Sequence, residues 1–352
     1  MQQSTRSSPE TSSRRWRGRL ALLAASWVLA LALGIALGQV INGDEDRAEQ
    51  GLADAECPRP YTASSPWHTP IEDDPPVAMP KFEIKHDPDA TLTSDPTQYT
   101  YPVYEVTRET RREEVEVRSL FSDVGDDSQL EIREGATVEL PIPEGLDSAA
   151  GTDAQFIIVD WETGDEWGAW QAERDASGRW SIENGYHYNV RWDGVPPADP
   201  RGRPFISRGA GVPYLTGLVR PCEIERGRIQ HALAFAYDHP SDEHVHPATK
   251  SDGLGEGPDA LPEGTRLQLD PSLTPEQLAE MGCTGPCRTI ARALQRYGMY
   301  VIDNAGRPKV MLEYQSTADW DGIVDADTVS PLPLSSFRVL EPSANRPTDQ
   351  DT

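Results

Sequence analysis

The chain has 352 residues, 37% of them hydrophobic, with 31 prolines, 28 glycines and a formal net charge of −26 at pH 7. This length holds one large domain or two small ones, and that much proline and glycine favours turns over long helices. The charge is lopsided: Arg6, Arg14, Arg15, Arg17 and Arg19 face only Glu10 in the first 19 residues, so the remainder carries about −30. So acidic a domain repels nucleic-acid phosphates at long range, which excludes nucleic acid as a partner, and it disfavours a polyanionic substrate.

Residues 1–19 read as a basic cytoplasmic tail. Leu20 to Ile41 then runs for 22 residues without a charge. A helix of that length spans roughly 33 Å, close to the ~30 Å hydrocarbon core of a bilayer. A cleavable signal peptide would carry a shorter apolar run, about 7–15 residues, ending in a small-x-small site. Here Gln39, Val40, Ile41 and Asn42 close the run instead. The expectation is therefore an uncleaved transmembrane anchor. Arginines precede it and Asp44, Glu45 and Asp46 follow it, which puts the N-terminus in the cytoplasm and the acidic bulk outside the cell membrane.

Outside the cytoplasm disulfides persist, and the four cysteines, Cys57, Cys222, Cys283 and Cys287, all lie beyond the span. Cys283-Thr-Gly-Pro-Cys287 can close a small local loop, which leaves Cys57 to tether the domain entrance to Cys222. A zinc site usually needs two C-x₂₋₄-C pairs, whereas Cys57 and Cys222 stand alone. No metal or other cofactor is expected.

After an acidic stalk over residues 42–56, the proline-rich stretch from Tyr61 to Pro80 is expected to wrap a surface, anchored by Trp67. Short strands are predicted at Tyr101 to Thr107, Glu114 to Leu120 and Thr137 to Ile142. A meander follows from Asp153 to Trp192, its first hairpin turning at Glu162-Thr-Gly-Asp165. Pro221 to Arg226 reads as one helical turn closed by Gly227. The stretch from Gln230 to Tyr237 alternates His231, Leu233, Phe235 and Tyr237 with three alanines and Gln230, the pattern of a strand buried on both faces. Two short helices remain. One starts at the capping box Thr274-Pro-Glu-Gln277 and runs to about Met281, and the other runs from Arg288 to Tyr297 until Gly298 stops it. Residues 299–303, the turn Asp303-Asn-Ala-Gly306 and residues 308–314 read as a hairpin. A last strand is expected near Phe337 to Leu340, before a disordered tail over 341–352. About a dozen strands with two short helices predict a mainly β fold, a two-sheet antiparallel β-sandwich of jelly-roll or concanavalin-like form, over residues 57–340.

Two stretches concentrate chemistry. The meander hairpin holds Asp160, Glu162, Asp165 and Glu166 among Trp161, Trp167 and Trp170. Indoles stack on sugar rings, and two carboxylates ~5–9 Å apart across a glycosidic bond can supply acid and base or nucleophile. Against this, carboxylates at a hairpin tip are usually only solvated. The second stretch is the buried strand and the loop after it, with His231, His239, His244 and His246, four of the seven histidines of the chain, followed by Lys250 and Asp252. His231 is either a hydrogen-bonded core residue or a base, and Lys250 and Asp252 join it if the loop folds back over the strand. His244 and His246 are spaced to share one strand face, although such a pair in a polar loop is usually exposed.

Several motifs give a resemblance covering most of residues 60–340. They are Ser65-Pro-Trp-His-Thr-Pro-Ile71, Asp160 through Trp170-Gln-Ala172, Gly227-Arg-Ile-Gln-His231-Ala-Leu233, Pro247-Ala-Thr-Lys-Ser-Asp-Gly253 and the segment from Ile290 to Asp303. Together they resemble a family of secreted or surface bacterial β-sandwich proteins without an assigned activity; His68 stands where that family carries asparagine. The resemblance implies one extracytoplasmic domain. From the residues, the expected function is hydrolysis of a neutral polysaccharide or cell-wall glycan by a carboxylate pair, with His231, Asp160, Glu162, Lys250 and Asp252 as catalytic candidates and Trp161, Trp167 and Trp170 as binding candidates. The alternative is a non-catalytic glycan-binding or structural cell-surface protein.

Overall fold

The alternation around Leu233 to Tyr237 predicts a strand with two buried faces, and the protein is built on one. In the computed structural model, which describes residues 57–119, 122–124, 136–197 and 202–342, strand β10 (Leu233–Tyr237) is buried at every position. Leu233, Phe235 and Tyr237 enter one hydrophobic core together with Ile290, Leu294, Met299 and Val301. Ala232, Ala234 and Ala236 face a second core with Trp67, Tyr214, Leu215 and Tyr300. Alanine on that face lets the backbone of another layer approach closely. The nitrogen of Ala234 donates to the carbonyl of Gly217 at 2.9 Å, and a Cβ on Gly217 would come within 2.4 Å of that nitrogen.

The architecture is mainly β, as expected, but its strands form three mixed sheets. The largest runs β1 (Val77–Met79), β14 (Phe337–Leu340), β11 (Arg266–Leu269), β12 (Met299–Asn304), β10 and β13 (Lys309–Val310). A second contains β2 (Val103–Glu105), β5 (Phe156–Asp160), β6 (Asp165–Trp170) and β9 (Asn184–Asn189). The third contains β4 (Ala136–Pro141), β3 (Arg112–Val117), β8 (Trp180–Ile182) and β7 (Glu173–Arg174). Ile157, Val159, Tyr186 and Tyr188 of the second sheet enter the same core as the alanine face of β10, while Phe156, Ile158 and Trp167 enter a third core with Val115, Val117 and Trp180.

Two expected pairings differ. The hairpin from residue 299 to 314 does not form, because β10 lies between β12 and β13, parallel to the first and antiparallel to the second. A strand with two buried faces needs backbone partners on both edges, and β10 takes one from each side of that turn. The meander also opens: β6 pairs directly with β9, while the intervening β7 and β8 pair with each other and β8 joins β3. The break falls at Gln171, whose φ of +50° turns the chain out of the sheet.

The helices follow their sequence signals. α1 (Pro221–Glu225) is followed by Gly227 at φ +64°, and α2 (Pro275–Glu280) begins with the capping box of Thr274 and Gln277. α3 (Pro286–Arg296) buries Ile290 and Leu294. Cys283 and Cys287 are bonded to each other, and Cys57 and Cys222 are also in disulfide linkage, so no described cysteine is free. Trp67 anchors its proline-rich segment edge-on to Tyr300, 4.9 Å between ring centroids. The expected cytoplasmic tail, transmembrane anchor and stalk lie outside the described residues, as does the tail from residue 343. Among the described residues no helix is long and apolar enough to cross a membrane.

Candidate active site

Because β10 and β12 are parallel, their carboxyl ends lie together, the position at which loops can build a site over a sheet. Asp303 and Asn304 end β12 there. Two segments are pinned beside them. The nitrogen of Ala210 donates to Ile302 O at 2.9 Å, and the nitrogen of Thr249 donates to Ala210 O at 2.8 Å. The first contact places Arg208 and Gly209, and the second places Lys250 and Asp252. A cavity of about 300 Å³ opens between them, lined by Arg208, Gly209, Lys250, Asp252, Asp303 and Asn304 and closed by Asp153, Gln155 and Trp170. A larger one of about 440 Å³ shares Asp153, Gln155, Asp303 and Asn304 with it.

Lys250 is half-buried, and its Nζ donates to the carbonyls of Arg208 and Gly209, each at 2.7 Å. It thereby fixes the turn from which the Arg208 guanidinium points inward. Arg208 is 3% exposed. It donates to Tyr214 O and lies 4.9 Å from the ring centre of Tyr101, itself stacked on Tyr214.

Three carboxyl groups gather against these cations. Asp252 is exposed, Asp303 is half-buried, and Glu263, beneath Gly209, has no exposure at all. A Cβ on Gly209 would stand 2.5 Å from Glu263 Oε1 and 2.6 Å from Asp252 Oδ1, so only glycine lets the two carboxyls face each other. Neither oxygen of Glu263 has a well-formed hydrogen bond. Burial, then the charges of Asp252 and Asp303, push its pKa up to about 10, so it holds its proton at neutral pH. Burial and the charge of Asp252 likewise push Asp303 up to about 7, against the opposing pull of Arg208 and Lys250. A carboxylic acid poised near neutrality, on the wall of a cavity and beside a solvent-reachable carboxylate, can donate a proton to a leaving group.

The residues singled out in the sequence are not all brought together. Lys250 and Asp252 line the cavity, and so does Trp170, whose Nε1 donates to Asp153 Oδ1 at 3.4 Å. Asp160 lies apart, 4% exposed, accepting the backbone N–H groups of Glu162 and Thr163 as the cap of its own turn. Glu162 is on the surface, 3.6 Å from Arg108. Trp161 donates to Glu105 at 2.9 Å, and Trp167 is buried in the third core, stacked on His187. Glu166 is fully buried, receiving Tyr61 Oη, Tyr186 Oη and the Leu215 nitrogen, which ties β6 to the loop carrying Arg208 and Tyr214. His231 is 6% exposed and its Nε2 lies 3.0 Å from Glu223 Oε1, so its partner is a carboxylate on α1 and not Asp160, Lys250 or Asp252. His244 and His246 are exposed.

Arg208, Asp153, Asp303 and Glu263 were not singled out in the sequence. Only Asp303 carried a local signal, an acid followed by asparagine at the end of an apolar strand. Comparison of the chain with models of known families, with curated proteins and with solved structures finds no match.

Proposed function

We propose that the protein hydrolyses a neutral glycan outside the cytoplasmic membrane, with Asp303 as the general acid and Asp252 as the base or nucleophile. The observation that carries this reading is the placement of both carboxyls on one open cavity, walled by Trp170 and sharing Asp153, Gln155, Asp303 and Asn304 with a second cavity. In this reading Asp303 protonates the glycosidic oxygen as the bond to the anomeric carbon breaks, while Asp252 stabilises the oxocarbenium-like centre and directs water to it or attacks it. Lys250 and Arg208 keep their positions by backbone and ring contacts and limit how far the Asp303 pKa rises. The net charge of −26 favours an uncharged substrate over a uronate. The motif resemblance to secreted and surface bacterial proteins, and the apolar span behind an arginine cluster, support the extracytoplasmic setting.

The test is a hydrolysis screen of the full-length protein on neutral polysaccharides, followed by Asp303→Asn and Asp252→Asn. Either change should lower kcat by about 10²–10⁴, the usual worth of a positioned acid or base. kcat/KM should fall as pH rises through about 7, where Asp303 loses its proton. A hydrolytic activity unaffected by both substitutions refutes the assignment. Binding of a glycan without any turnover makes the protein a lectin-like surface protein instead.

A further inference from the structure

We propose that the larger cavity is a binding subsite for one pyranose ring of a neutral glycan, with Tyr99 as its stacking platform and Lys309 as the residue that holds that platform in place. The inference rests on the glycan reading above and extends it to residues outside the carboxyl cluster. The cavity measures about 440 Å³ and shares its Asp303 wall with the smaller one, so a chain cut beside Asp303 would continue into it.

Tyr99 is 44% exposed on this cavity, one of few large side chains among the described residues left so open. Its backbone sits at φ +50°, a conformation that costs a non-glycine residue energy and is kept only where surrounding contacts enforce it. Two such contacts are present. Cδ1, Cε1 and Cζ of the ring lie against Gly151, where a Cβ would come within 3.0 Å of Cε1, and the side chain lines the cavity. Lys309 Nζ donates to Gln98 O at 2.8 Å and Tyr99 O at 2.9 Å. Lys309 is 7% exposed and belongs to β13, hydrogen-bonded to β10, so the platform is tied to the central sheet through a buried cation.

The remaining wall suits hydroxyl groups. Gln98, Gln155 and Asn304 offer carboxamides, and Asp95 is held in orientation by Thr97 and Gln98. An exposed aromatic ring available to sugar C–H groups, with carboxamides beside it, is a combination that recognises a sugar. With Asp303 protonated, Asp95 and Asp153 balance Arg307 and Lys309, so the cavity carries no excess positive charge to hold an anionic sugar.

The test is calorimetric titration of the full-length Asp303→Asn variant with xylohexaose, cellohexaose, mannohexaose and maltohexaose. Tyr99→Ala should weaken the tightest of these at least tenfold, and Tyr99→Phe should stay within threefold. Tyr99→Gly, which relieves the positive φ, should lose binding equally without lowering the melting temperature. Lys309→Met should weaken binding as Tyr99→Ala does. Affinity unchanged in the Tyr99 variants, or no binding of any of the four sugars by the parent, overturns the proposal. Binding is read without turnover, so a failure of the hydrolytic assignment shows separately, as equal rates for wild type and Asp303→Asn.

Discussion

Glu263→Gln tests the electrostatics of the site without knowing its substrate. The carboxyl of Glu263 has no exposure and lies against Asp252, and its pKa is pushed from an ordinary 4.5 up to about 10. Above pH 4.5 the unfolded chain releases a proton that the folded protein keeps. The contribution of Glu263 to folding stability is therefore fully present below that pH and is lost progressively as pH rises toward 10. Between pH 4.5 and 7, at about 1.4 kcal/mol per pH unit, the loss amounts to about 3 kcal/mol. Glutamine has the same shape as the protonated acid and carries no charge at any pH. The substitution should leave stability near pH 4 almost unchanged and raise it by about 3 kcal/mol at pH 7, with a larger gain at pH 8. The assay is denaturant unfolding of both proteins from pH 4 to 9, under conditions that keep the disulfides oxidised, scored as the difference between the two curves. Titrating groups that do not interact with Glu263 cancel in that difference. Curves that stay parallel across the range would show that Glu263 is ionised in the folded protein, and the assignment of a protonated floor to the site would fail.

Two further substitutions probe the frame. Gly209→Ala would set a methyl group 2.5 Å from Glu263 Oε1 and should cost about 1–3 kcal/mol, less when Glu263 has been shortened to alanine and that oxygen is gone; additive costs in the double variant would argue against contact through Gly209. His231→Ala should lower stability by about 1–3 kcal/mol, because it strips the buried Glu223 carboxyl of its imidazole partner, and it should leave sugar affinity unchanged; lost affinity at unchanged stability would return His231 to the site.

Much of the frame was legible because it obeys local rules. The alternation of Leu233, Phe235 and Tyr237 with alanine marked the strand with two buried faces, and the signals at Thr274 and Gly298 set helix ends, since capping and φ preferences act over three or four residues. Strand partners were less legible. Nothing near residues 299–314 says that β10, some 65 residues earlier, will enter between β12 and β13. In the site, Lys250 and Asp252 were found because they cluster in sequence. Arg208 and Glu263 come from separate loops that are pinned to β12, through Ala210 N to Ile302 O and Gly264 N to Val301 O, and Asp153 faces Arg208 from a third loop across the cavity. Asp160, which looked like a hairpin-tip acid, is used up in capping its own turn.

Asp303 shows most clearly why alternation alone could not reveal the site. Along β12, Met299 and Val301 enter the core that contains α3, while Tyr300 and Ile302 enter the core over the alanine face. Strict alternation would send Asp303 after Val301, into the hydrophobic side. The pairing with β10 slips at that point: Phe235 lies opposite Val301, but Ala236 lies opposite Asp303, so Ile302 is an extra residue in the ladder. A bulge of this kind re-aims the following side chain. Asp303 accordingly lines the cavities beside Tyr101, Ala305 and Met311, on the alanine side, within the field of Asp252, Lys250 and Arg208. The irregularity that breaks the strand pattern is thus what delivers an acid to the cavity wall. Its cost in lost ladder regularity is borne by a strand otherwise buried from Met299 to Ile302.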